Sequence, residues 1–282
     1  MTIGLTGASR NLGRLTVEEL LTGGVSADQI VAVVRDPAKV TDLADRGVQV
    51  RQADYASPAG WREALDGVDR LLVVSGSGPG ASQSHKTVID AAVEAGVGHI
   101  SYTSILNADT TNNPLAPEHH ATEQLIQASG IPFAILRNAW YHELFTRLIP
   151  QHLATGEIVD AVGEAQISGA ARADLAAAAA VVLASGGSEN RIYELGGTAF
   201  TMNEFARELS ATSGQSITHR ALNDDDFAAH LEATGVDGGM AAFITQNDAS
   251  LRAGEMYTDS TDLADLVGRL LRPLAVSVRQ GL

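Results

Sequence analysis

Short apolar runs and amphipathic segments take turns along the first half of the chain. "TIGLTG" is apolar up to a glycine turn and reads as a strand. "LGRLTVEELLTGG" follows, with Leu12, Leu15, Leu20 and Leu21 near helical spacing and Gly23-Gly24 as its stop. "IVAVVR" reads as a second, buried strand, "PAKVTDLADRG" as a helix with a glycine end, and "VQVRQADY" as an alternating third strand. Ser57-Pro58 offers an N-cap and a first-turn proline for a helix running to Leu65. "RLLVVSG", "HISYTS" and "PFAILRN" complete six strands, separated by the helical patterns "HKTVIDAAVEAG" and "PEHHATEQLIQASG".

Such alternation means βαβ units, hence a parallel sheet covered on both faces. The predicted fold is α/β, a doubly wound Rossmann sheet whose ligands lie at the carboxyl ends of its strands. The second half is patterned differently. "TGEIVDAVG" and "RIYELGG" read as short strands, and "RADLAAAAAVVLAS" as a helix packing back onto the sheet. "NEFARELSATSG", "DDDFAAHLEATG" and the chain from Thr261 onward read as more polar helices. The expected organisation is a Rossmann core over residues 1–140, with residues 141–282 forming a small α+β substrate lobe and completing the core.

Composition narrows the function. No stretch approaches eighteen apolar residues and no charged, then apolar, leader opens the chain, so the expectation is a cytoplasmic protein that makes no use of a membrane. The absence of cysteine removes disulfides, thiolate nucleophiles and Cys-ligated metals. A formal charge of −15 argues against nucleic acid as partner. Lys39 and Lys86 are the two lysines, a scarcity that bears on mechanism.

The chemistry concentrates after the strands. Thr6–Gly13, "TGASRNLG", has the place of a dinucleotide-binding turn, with Thr6, Gly7, Ser9, Arg10, Asn11, Leu12 and Gly13 facing the cofactor. Gly7 suits the tight turn after the strand and Gly13 the close packing of helix on sheet. A middle glycine is missing. One spacing wants it at Arg10. The other wants it at Asn11, and Asn is the residue that best replaces glycine in left-handed backbone. Arg10 can either grip an adenosine 2′-phosphate or crowd the pyrophosphate. After strand two, Arg35 stands where an acid would meet a ribose 2′-hydroxyl, with Lys39 nearby; a guanidinium there favours NADP over NAD. Asp36 keeps NAD open as the second option. Ser75 and Gly76 end strand four beside the path from pyrophosphate to nicotinamide, and "SGPG" from Ser77 reads as a mobile loop.

No Tyr-x-x-x-Lys dyad exists: Arg35 precedes Lys39 by four residues, and Ser82 precedes Lys86. Carbonyl reduction or epimerisation by that dyad is therefore not expected. After strand six, Asn138 supplies an amide, and Trp140 and Tyr141 supply flat apolar faces suited to a planar substrate. His85, His99, His119, His120 and His142 show no metal-binding spacing, so no metal is expected.

The ordered set "TGASRNLG", "QIVAVVRDPAK", "VQVRQADY", "LLVVSG", "HISYTS", "EHHATE" and "FAILRNAWY" resembles the NmrA-like, atypical branch of the short-chain dehydrogenases/reductases. Within it the chain is similar to the NAD(P)H:quinone oxidoreductase type 2 and triphenylmethane reductase group, over nearly all its length. The resemblance implies direct hydride transfer from NADPH to a quinone or similar planar acceptor, without flavin. It implies a middle glycine at position 10, from which Arg10 departs. It places Asp54 at the adenine amino group and Ser104 at the serine position of the wider superfamily. It puts His119 near where the missing lysine would sit, to anchor the nicotinamide ribose or donate a proton near neutral pH, oriented by Glu123. Two other readings remain at this stage. One is a non-catalytic, NADP(H)-binding redox sensor. The other is a reductase of a phenolic double bond, whose relatives generally carry a lysine near position 119. A homodimer is the default assembly.

Overall fold

The computed structural model describes residues 1–76, 78–186 and 189–282. The first half alternates β1 (Ile3–Thr6), α1 (Asn11–Thr22), β2 (Ile30–Val34), α2 (Thr41–Asp45), β3 (Gln49–Gln52), α3 (Trp61–Ala64), β4 (Arg70–Val73), α4 (Ala81–Ala95), β5 (His99–Ile105), α5 (Ala116–Ala128) and β6 (Phe133–Asn138). The second half runs β7 (Trp140–Tyr141), α6 (His142–Thr146), α7 (Ile149–Thr155), β8 (Glu157–Asp160), β9 (Ile167–Ala170), α8 (Arg172–Ala184), β10 (Arg191–Leu195) and β11 (Ala199–Phe200). It ends with α9 (Met202–Ser213), β12 (Thr218–Ala221), α10 (Asp224–Ala233), α11 (Gly238–Arg252), α12 (Asp262–Val267) and α13 (Leu274–Gly281).

Seven parallel strands form the central sheet in the order β10-β6-β5-β4-β1-β2-β3. The order reverses between β1 and β4, and a crevice for ligand opens there beyond the carboxyl ends. β1, β2, β4, β5 and β6 are buried throughout, which is why their sequences are continuous apolar runs rather than alternating ones. Alternate residues feed two cores. Ile3, Leu5, Ala32, Leu72 and Leu136 pack with α1 and α8 on one face, while Val31, Val33, Leu71, Ile100 and Ile135 pack with α3, α4 and α5 on the other. Ala176 to Ala180 are all buried in α8, where small side chains let that helix lie against α1 and the sheet.

Three local expectations change. The helix expected from Ser57-Pro58 starts later: the Ser57 hydroxyl accepts the Ala59 amide at 3.3 Å in a turn, and Gly60, at φ 86°, leads into Trp61–Ala64. The helix expected over "PAKVTDLADRG" is divided into a 3₁₀ turn, Pro37–Val40, and the short α2. "RIYELGG" supplies β10, which pairs with β6 as the edge of the main sheet. The remaining strands make two small sheets, β11-β9-β7 and β12-β8. Asn107, at φ 54°, donates its amide to the carbonyls of Glu255 and Tyr257 and so ties the end of β5 to the C-terminal segments. Among the described residues, no helix is long and apolar enough to cross a membrane.

Candidate functional site

A cleft of about 1550 Å³ crosses the carboxyl ends of the central strands and continues under α10 and α11. Every predicted site residue lines it except Thr6. The Thr6 hydroxyl is spent inside the sheet, accepting the Val74 amide at 2.8 Å and the Tyr55 hydroxyl at 2.7 Å.

The opening turn is formed by glycine where glycine is needed. Gly7 has φ 66°, and its carbonyl accepts the Arg10 amide at 3.0 Å. A Cβ on Gly13 would lie 2.5 Å from the Gly7 oxygen, so only glycine lets α1 pack this closely on the turn. The middle position is different. Arg10 is extended, at φ −133°, and Asn11 is the first residue of α1. Neither is left-handed, so the expectation that Asn11 replaces a conformationally required glycine is corrected. A non-glycine residue fits this turn without backbone strain. α1 has no side-chain cap and no acid in its first turn, so its N-terminal amides are left for an anion.

Arg10, Arg35 and Lys39 are exposed at this end of the cleft, and none forms an ion pair with an acid among the described residues. Asp36 caps the following turn through Ala38 N–H at 3.1 Å. Asp54 accepts the Ala56 amide, and its carbonyl holds the Trp61 indole N–H at 2.9 Å. Tyr55 and Trp61 also line the cleft here, their rings 5.2 Å apart. Sequence reasoning passed over both, although Tyr55 adjoins Asp54.

Ser75 and Gly76 are fixed from neighbouring strands and helices. The Thr103 hydroxyl accepts the Ser75 amide at 2.9 Å, and His85 Nε2 accepts the Gly76 amide at 3.0 Å. An accepting Nε2 leaves the His85 proton on Nδ1, 3.0 Å from the Thr122 hydroxyl. Ser77, where the predicted loop begins, lies outside the described residues; beyond it, Glu118 accepts the amides of Gly80 and Ser82 at 2.9 and 2.7 Å.

At the ends of β5 and β6 the groups are buried. Ser104 donates to Glu123 at 2.6 Å. Glu123, 1% exposed, is held by both Nε and Nη2 of Arg137, at 3.0 and 2.7 Å. Arg137 Nη1 also reaches Asp109 and Glu194, each at 2.8 Å. Burial opposes the Arg137 charge, but these carboxylates outweigh it and raise its pKa. Glu123 therefore does not orient His119, as the sequence suggested. The Tyr102 hydroxyl does, 3.0 Å from Nδ1. Burial pushes His119 down to about 4, which favours the neutral ring at pH 7. As a neutral ring it can position a ribose or carboxamide. His120 is half-buried, with its Nε2 3.0 Å from Gln124 Nε2. Asn138 Oδ1 is buried with no partner among the described residues, an acceptor available to a ligand. Tyr141 carries Arg172 over its ring at 4.9 Å, and burial pushes its phenol up.

The reversed parallel sheet, the glycine turn against an uncapped helix and the unpaired cations beside it define a dinucleotide-binding protein. The profile of the NAD(P)H-binding family matches residues 7–186, and the chain belongs to that family. Quinone oxidoreductase 2 of Escherichia coli (strain K12) is 43% identical over 278 residues, which are 98% of this chain and 97% of that protein. The crystal structure of an E. coli NADPH-dependent quinone oxidoreductase complexed with NADPH superposes with a TM-score of 0.95 at 42% identity, covering 99% of each chain. Citrobacter sp. triphenylmethane reductase complexed with NADP(H) gives 0.94 at 36%, covering 100% of each.

Proposed function

We propose that this protein is an NADPH-dependent oxidoreductase that passes hydride to a quinone or similar planar acceptor. One observation carries the reading: a single cleft joins the dinucleotide turn to an aromatic and apolar chamber that contains no Tyr-x-x-x-Lys dyad. Bound NADPH supplies the hydride. The protein's share is to hold two flat molecules in register and exclude water.

The α1 amides and the Gly7–Gly13 turn receive the pyrophosphate. Arg10, Arg35 and Lys39 supply charge for the 2′-phosphate, and Asp54 accepts from adenine. Ser75 and Gly76 line the path to the nicotinamide. There Ser104, His119 and Asn138 hold the ribose, carboxamide or acceptor oxygen. Trp140 and Tyr141 form the wall for the acceptor. Phe145, Met202, Phe227, Leu231, Met240 and Phe243 extend it. Residues 1–140 serve as the dinucleotide core, and 141–282 supply the acceptor lobe and complete the core. The cytoplasm and a homodimer complete this reading; light scattering on purified protein tests the assembly.

The deciding experiment follows NADPH and NADH oxidation with benzoquinone, naphthoquinone and triarylmethane dye acceptors. Turnover with NADPH well above that with NADH is expected. NADPH bound without oxidation by any of these acceptors overturns the reading.

A further inference from the structure

Quinones and cationic dyes carry different charges through the same hydride transfer. A quinone enters neutral, gains two electrons with the hydride and becomes a hydroquinone monoanion, its charge on oxygen; water then supplies the proton. A triarylmethane dye enters as a cation and becomes neutral when the hydride reaches its central carbon. A fixed positive charge beside the acceptor stabilises the first reaction as charge develops and repels the second from the start.

Arg172 is such a charge. It is the first residue of α8 and lines the cleft. β9 runs beside β7, pairing Gly169 with Trp140 and Ala170 with Tyr141, so α8 begins two residues beyond the aromatic wall. The Arg172 guanidinium lies 4.9 Å from the centre of the Tyr141 ring. Tyr141 Oη in turn accepts from Asn138 Nδ2 at 3.4 Å, and Asn138 pairs with Ile105, next to Ser104. These contacts run from Arg172 to the ends of β5 and β6.

The acids nearby are otherwise engaged. Glu143 turns both carboxylate oxygens to the backbone N–H of Arg172, at 3.1 and 3.2 Å, which fixes the start of α8. Glu157 pairs with Arg220, Asp160 lies 2.9 Å from His219 Nε2, and Asp248 accepts the Ala161 amide. Among the described residues the half-buried Arg172 makes no ion pair, whereas Arg137 meets three carboxylates. Arg147 lines the cleft too, but it is exposed, where solvent and salt screen its charge.

We propose that Arg172 meets the acceptor oxygen that becomes anionic, and so makes the chamber selective for quinones over cationic acceptors. This rests on the oxidoreductase reading. A guanidinium can lie flat on Tyr141 and still present N–H donors at its edge. Its bond to a neutral quinone oxygen is ordinary; as that oxygen gains charge the bond becomes charge-assisted on both sides, so the gain falls on the reaction rather than on binding.

Arg172→Gln keeps a flat amide over Tyr141 and removes the charge. Its kcat/KM for benzoquinone with NADPH should fall about 10- to 100-fold, chiefly through kcat. Its kcat/KM for a triarylmethane dye should instead rise about 2- to 5-fold, as a part-exposed like charge is lost. NADPH affinity, read by fluorescence, should not move. Arg172→Lys restores a charge without the fork and should recover part of the benzoquinone rate. An equal fall with both acceptors overturns the proposal, because a mere packing role lowers both; so does a benzoquinone rate equal to that of wild type. If Arg172→Gln does not fold, wild type decides. Naphthalenesulfonate should inhibit quinone reduction at about a tenth of the concentration required of a naphthyl trimethylammonium cation. Equal inhibition by the two overturns the proposal. Wild type that reduces the dye but no quinone overturns it and leaves the oxidoreductase reading standing; wild type that binds NADPH and reduces neither removes both.

Discussion

At the glycine-turn end of the cleft the groups open to a ligand are backbone amides and exposed cations; at the β5–β6 end they are buried side chains held by other buried side chains. The first end is contiguous in sequence. Gly7, Arg10 and Gly13 lie within one turn, and Arg35 and Lys39 follow the next strand. The second is assembled from β5, α5, β6, β7 and β10, with Ser104 held by Glu123, Glu123 by Arg137, and Arg137 by Asp109 and Glu194. Charge recognition tolerates solvent and substitution. Orientation of a reacting pair requires a dry, rigid surround, and the neutral histidines and paired carboxylates there are its consequence.

The contrast breaks most readily at Arg137. Arg137→Met leaves Glu123 buried with no counter-charge, and such loss costs about 3–5 kcal/mol. A Tm fall of roughly 10 °C is expected by thermal unfolding. NADPH affinity at the glycine turn should change far less than turnover. If binding and turnover collapse together, the two ends are not independently built.

Residue by residue, a smaller effect comes from pH. Burial pushes His85, His99, His119 and His142 each down to about 4 from 6.5. The folded state then binds fewer protons than the unfolded chain between those values. Stability from these residues is complete above about pH 6.5 and is lost as pH falls towards 4, by roughly 1–3 kcal/mol each. Asp248, raised to about 7, works the other way in part of this window, so the four histidines set the net sign. The Tm should decline from pH 7 to 4.5, and His99→Phe, away from the cleft, should make the decline shallower. A flat wild-type profile would count against the tuned, dry interior.

The fold was legible because a buried parallel strand is a local signal, and six of the seven central strands follow one another with glycine or polar stops. β10 was harder to assign to the main sheet, since "RIYELGG" has an exposed edge pattern and joins only through β6. The glycine turn was legible too, yet its middle position was misread: a spacing pattern cannot tell that residue 10 is extended and residue 11 helical. Tyr55 and Trp61 had no signal beyond their position near Asp54. The partner of His119 was misassigned because helical spacing suggested Glu123, whereas the strand beneath supplies Tyr102 and Arg137 claims the acid.

The finest test of the comparison is Arg10→Gly, which restores the glycine that the related proteins were expected to carry. The backbone at position 10 is extended and donates to Gly7 without help from its side chain, so glycine there should not remake the turn. The change removes one exposed cation from a group of three, and exposed charges are individually worth about 0.2–1 kcal/mol. NADPH affinity should therefore fall only about 2- to 5-fold, with NADH affinity unmoved and the loss shrinking in high salt. Side-by-side fluorescence titrations of both cofactors measure this. A rise in affinity for both would mean that the Arg10 side chain crowds the pyrophosphate, and the adenine end would then share the steric exactness of the buried end rather than its tolerance.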